Sequence, residues 1–100
     1  MIKHIVFWRL RDSAHGNDAA TNARLIKERL EALRGRIPGL LAIEVGMDFV
    51  RGETSSDLAL YSEMESREAL DVYQKHPLHQ EVAGFIKEAV SERRAVDYEI

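Results

Sequence analysis

Two histidines separated by a proline and a leucine, His76-Pro77-Leu78-His79, follow an amphipathic segment that carries Tyr73, and nowhere else in the chain do several proton-handling side chains fall so close together. Imidazole exchanges protons near neutral pH because its ordinary pKa is about 6.5, so general acid or base chemistry is expected here. Pro77 has no amide proton, disfavours helical geometry at His76 and suits the first turn of a new helix. His76 is therefore read as a loop residue between two helices and His79 as a first-turn residue. The plain rival reading makes both imidazoles ordinary polar residues at an exposed helix junction.

The elements that must position these groups follow from periodicity. Ile2 to Leu10 alternates, with Ile2, His4, Val6, Trp8 and Leu10 on one face and Lys3, Ile5, Phe7 and Arg9 on the other, and both faces are apolar enough in the middle to be covered. Ala19, Ala23, Ile26, Leu30, Leu33 and Ile37 form the stripe of an amphipathic helix that begins after Asp18 and is expected to end near Gly35 to Gly39, where Pro38 stops it. Leu40 to Val50 reads as a strand with Leu41, Ile43, Val45 and Met47 on one face. Asp57 to Glu65 reads as another, with Leu58, Leu60, Ser62 and Met64 together. Ser66 suits an N-cap for a helix to about Gln74, and a second helix follows Pro77 with Val82, Phe85, Ile86, Ala89 and Val90 inward. Ala95 to Ile100 closes the chain as a strand that sets Val96 and Tyr98 opposite Asp97. Asp12 to Asp18 and Val50 to Asp57 are polar enough to be loops.

The order β-α-β-β-α-β is the split βαβ of ferredoxin-like α+β domains, a four-stranded antiparallel sheet with helices on one face. The second face would carry Ile5, Phe7, Leu40, Ala42, Tyr61, Val96 and Tyr98, too many apolar groups for a wet surface. An identical sheet related by a two-fold axis is the simplest cover, so the expected partner is a second copy of the chain.

The chain's 100 residues make one domain spanning 1-100, with a single core. Its net charge of -3 is spread, and its basic residues cluster only in pairs, so nucleic acid is not an expected partner. It has no cysteine, which excludes disulfide and thiolate chemistry. The opening segment is too short and polar for a signal sequence or a membrane span, so a cytoplasmic protein with no membrane partner is expected. No His or carboxylate pair has a specific ligand spacing, although Glu44 and Glu63, on the same side as Gly46 and Tyr61, could line a polar or ion-binding cavity in the barrel. The expectation is no metal and no cofactor.

Ile2-Lys3-His4-Ile5-Val6 at the start, Ile37-Pro38-Gly39 after the first helix, Tyr73 before His76-Pro77-Leu78-His79, and Val96-Asp97-Tyr98 at the end closely resemble the stress-responsive A/B barrel domain family, over essentially the whole chain. The resemblance implies a homodimeric α+β barrel, with two sheets packed face to face. Within that family the plant polyketide cyclases are similar in three polar positions. The resemblance implies a general base at His79, a substrate-orienting tyrosine at Tyr73, a further pocket histidine at His4, and an aspartate supporting the base at Asp97.

The residues point the same way. His4 and Asp97 belong to neighbouring antiparallel strands and face the helices, and His79 and Tyr73 lie on inner helix faces. With His4, Val6, Trp8, Leu60, Val82 and Ile86 as walls, an imidazole could remove a proton beside a carbonyl while a phenol bonds the developing enolate. Rival readings make His4 a satisfied core histidine, Tyr73 a core residue and Asp97 a structural partner. Trp8, helped by Phe85 and Met64, is expected to fill much of the space, which separates two functions: an open cavity means a cyclase- or lyase-like enzyme or carrier of a small apolar molecule, and a closed one a non-catalytic stress-response or assembly protein. A cofactor-free monooxygenase is a further reading by fold analogy.

Overall fold

A computed structural model covers residues 1–100. The chain runs β1 (Ile2–Leu10), β2 (Ser13–Ala14), β3 (Asn17–Asp18), α1 (Ala19–Glu31), β4 (Leu40–Met47), β5 (Leu58–Met64), α2 (Arg67–Lys75), α3 (Pro77–Ala89) and β6 (Val90–Glu99). The main sheet has the order β4-β5-β1-β6 with every pair antiparallel, and the helices cover one face, so the expected ferredoxin-like α+β fold is present. The segment after β1, read as a loop, contains a small β2-β3 hairpin. Buried Asn22 on α1 secures it: its side-chain amide donates to the Ala14 carbonyl at 3.0 Å and its oxygen accepts from Asn17 at 3.2 Å.

The core lies between sheet and helices. Strand parity delivers Ile2, His4, Val6 and Trp8 from β1 and Leu58, Leu60, Ser62 and Met64 from β5, all buried, against Ile26 and Leu30 of α1, Tyr73 of α2 and Val82 and Ile86 of α3. Each helix start is specified locally. Asp18 accepts from the Thr21 amide at the head of α1 and Ser66 from the Ala69 amide at the head of α2, each satisfying an orphan N–H.

Four expectations need correction. Helix α1 stops at Glu31, earlier than the stripe suggested, and Leu33 and Ile37 reach the core from turns. A bulge between Leu40 and Ala42 throws Leu41 outward, where it is 52% exposed, and turns Leu40 inward. Phe85 packs against the margin of the core and is only partly buried, with its ring stacked on the His15 ring at 4.1 Å and the Arg29 guanidinium 4.0 Å from its centroid. Val90 ends the helix and begins β6, five residues before the expected start of that strand. No loop separates α3 from β6, and Ala89 accepts from the Arg11 amide at 2.9 Å at the corner.

Gly39 is required where it stands. Its φ of +82° is strained for other residues, and an added Cβ would lie 2.6 Å from the Ala69 side chain. The sheet face away from the helices carries Phe7, Val96 and Tyr98, each more than 40% exposed, with Ile5 and Tyr61 half-buried beside them. No helix is long and apolar enough to cross a membrane.

Candidate functional site

The break at Pro77 determines what each histidine of the tetrad does. Residues near the end of α2 have carbonyls without intrahelical partners, and the Gln74 carbonyl is one of them. The His79 ring, in the first turn of α3, reaches back to it with Nδ1 at 3.2 Å. A carbonyl only accepts, so Nδ1 carries the proton and Nε2 is left as the ring's acceptor. His76 is set the opposite way: its Nδ1 accepts from the Leu78 amide at 3.1 Å and caps α3. The same sequence device therefore makes His76 a cap and leaves His79 with a free basic nitrogen. Burial pushes the His79 pKa below its ordinary 6.5, against the smaller opposing effect of the Gln74 bond, and the charges of His4, Arg93 and His76 push in the same direction as burial.

His4 enters from the sheet. It is 3% exposed and sits directly opposite Asp97 in the β1-β6 register, where its Nδ1 bonds the Asp97 carboxylate. An ionised carboxylate only accepts, so this contact places the His4 proton on Nδ1 and leaves Nε2 for other partners. Tyr73 stands between the imidazoles, edge-on to His4 with ring centroids 6.1 Å apart and tilted against His79 at 4.3 Å. Its hydroxyl is fully buried with no hydrogen-bond partner, and burial drives its pKa far up, so the phenol stays protonated.

Both imidazoles line a partly open cavity of about 480 Å³, within the size range of small-molecule sites. Val6, Trp8, Leu30, Leu60 and Ile86 supply most of its apolar wall, and Ala83, Lys87 and the Val90–Arg93 segment complete it. Six of the anticipated residues thus converge: His79, His4, Val6, Trp8, Leu60 and Ile86. Three do not line it. Tyr73 lies behind the two rings, and Val82 is buried in the core without reaching the cavity. Asp97 backs His4 instead of His79, because β-sheet register puts it across from His4. Trp8 forms a wall without closing the space, while Phe85 and Met64 take no part in it. Leu30, Ala83, Lys87 and Arg93 were missed, although the i, i+4 spacing of His79, Ala83 and Lys87 marks one helix stripe and Arg93 shares the parity of Asp97. No three His, Asp or Glu side chains gather into a metal-binding group.

A ferredoxin-like sheet with helices on one face, and a carboxylate-backed histidine opposite a helix-borne one across an apolar cavity, define an α+β barrel type of domain. The chain belongs to the stress-responsive A/B barrel domain family, whose model matches residues 2–100. Among solved structures it is similar to a dimeric protein of unknown function with ferredoxin-like fold from Bacteroides fragilis, at 34% identity and a TM-score of 0.87, covering 99% of this chain and 95% of that one. A hydroxynitrile lyase from Passiflora edulis shares the fold at 19% identity and a TM-score of 0.82, covering 99% and 92%. An antibiotic biosynthesis monooxygenase does so at 19% identity and 0.76, covering 100% and 98%. No curated protein matches the chain.

Proposed function

We propose that this protein binds a small, mostly apolar carbonyl compound and removes a proton from the carbon beside the carbonyl, a cyclase- or lyase-type step without a cofactor, with His79 as the base. The observation that carries the reading is the His79 bond to Gln74, which leaves an unprotonated Nε2 on a cavity-lining imidazole whose pKa burial lowers. In the step, Nε2 takes the proton and the C–H electron pair moves into the carbonyl, leaving an enolate oxygen. His4 faces the same cavity and, when protonated while Asp97 holds its Nδ1, donates from Nε2 to that oxygen. Tyr73 is a positioning residue that fixes both rings by packing. That two similar structures are named as enzymes supports chemistry on this fold. The open cavity speaks against the closed, non-catalytic alternative.

The bare sheet face supports a homodimer, as does the dimeric state named for the Bacteroides fragilis protein. At about 25 cal/mol per Å², hiding several hundred Å² of apolar surface is a substantial driving force. The catalytic reading is tested by hydrogen–deuterium exchange at the acidic carbon of apolar 1,3-dicarbonyl compounds. Exchange above buffer that disappears in His79→Ala and persists in His76→Ala supports the assignment. Exchange that survives in His79→Ala overturns it.

A further inference from the structure

The cavity has two chemically different ends. On α3, His79 and Lys87 belong to one stripe with Ala83 between them, and eight helical residues separate them by roughly 12 Å. On the sheet, His4 lies opposite Asp97 and Trp8 lies opposite Arg93, a spacing of four strand residues or roughly 13 Å. Helix and sheet therefore agree: both put an imidazole at one end and a cation at the other, at matching separations, with apolar walls and the small side chain of Ala83 between. The cations are free to act. Neither Lys87 nor Arg93 forms an ion pair or a side-chain hydrogen bond, and the one acidic residue of the rim, Glu92, is held by Arg94 at 3.0 Å.

Resting on the reading of this cavity as a small-molecule site, we infer that its ligand is an elongated apolar molecule ending in an anion, with the anion between Lys87 and Arg93 and the carbonyl end at His79 and His4. A neutral molecule of the same shape would leave both cations without partners. An anion placed at the imidazole end would meet the Asp97 carboxylate behind His4.

Trp8 is the only tryptophan and lines the cavity, so its emission reports occupancy without turnover. Decanoate, decyl phosphate and decan-1-ol are titrated into the wild-type chain, Lys87→Gln/Arg93→Gln, and Arg36→Gln, a control at an exposed arginine outside the cavity. The expected result is that at least one anion binds about tenfold more tightly than decan-1-ol. The double variant should lose that advantage while Arg36→Gln keeps it. Preference between decanoate and decyl phosphate then tells carboxylate from phosphate. Equal binding of the alcohol and both anions, or anion affinities unchanged in Lys87→Gln/Arg93→Gln, overturns the inference while leaving the proton-transfer reading intact. Exchange that ignores His79 would overturn that reading alone.

Discussion

His4 and Asp97, ninety-three residues apart in sequence, face each other directly across the β1-β6 pair and are joined by a hydrogen bond from Nδ1 to the carboxylate. The imidazole is buried, whereas the Asp97 side chain is 39% exposed. Removing the carboxylate leaves a buried ring nitrogen without its acceptor. Asp97→Ala is expected to cost about 1–2 kcal/mol, read as a fall in Tm of roughly 4–15 °C for a domain of this size. In a double-mutant cycle with His4→Phe the two effects should not add. Strict additivity would show that the pair contributes nothing as a pair.

His79 makes stability depend on pH in a definite direction. Its folded pKa lies below the unfolded value, so below about pH 6.5 the unfolded chain binds this proton more readily than the folded one. Its contribution is neutral above that pH, and stability declines as pH falls through 6.5 toward the folded pKa. Urea denaturation of wild type and His79→Gln between pH 5 and 8 should show a shallower acid decline in the variant. An NMR titration should place the His79 midpoint below 6.5, and a midpoint above that would contradict the partly buried, neutral imidazole.

Tyr73→Phe removes a buried hydroxyl that has no partner and keeps the ring that packs on His4 and His79. The expected change in stability is therefore small or favourable, within about 1 kcal/mol, which is unusual for a fully buried tyrosine. Thermal denaturation checks it. A loss of 2 kcal/mol or more would mean that the hydroxyl has a partner in solution.

Phe7 and Val6 are adjacent in β1 but point to opposite faces: Val6 is 1% exposed in the core and Phe7 is 41% exposed on the bare face. Sedimentation at micromolar concentration should find the wild type dimeric, Phe7→Glu monomeric or aggregated with its fold retained, and Val6→Glu misfolded. A folded wild-type monomer would remove the face-to-face arrangement.

Much of this architecture was legible because burial on one face imposes a period. The parity of β1 and β5, the Ser66 cap and the break at Pro77 could all be read from residue types. Strand β6 was located late because an edge strand has no such demand: Ser91, Glu92, Arg93 and Arg94 are exposed and carry no apolar alternation, so nothing marks them as extended chain. The two cavity cations were obscured for the same reason for Arg93, and because Lys87 looks like any solvated helix residue. The partner of Asp97 depends on strand register, a relation between distant segments that local pattern does not contain. Leu41 was misplaced by a bulge that leaves no compositional trace.

The direct passage from α3 into β6 makes residues 77 to 93 a single bent bar, with the proposed base near one tip and Arg93 at the other. A flexible connection would let the jaws of the cavity open and close around guests of different girth. Here the corner is clamped, because Val90 donates back to the Ile86 carbonyl and Ala89 accepts from Arg11. With the gap between helix and strand held in this way, selection among homologous guests should be sharp in girth, and the roughly 12 Å of helix between His79 and Lys87 sets the length that reaches both ends.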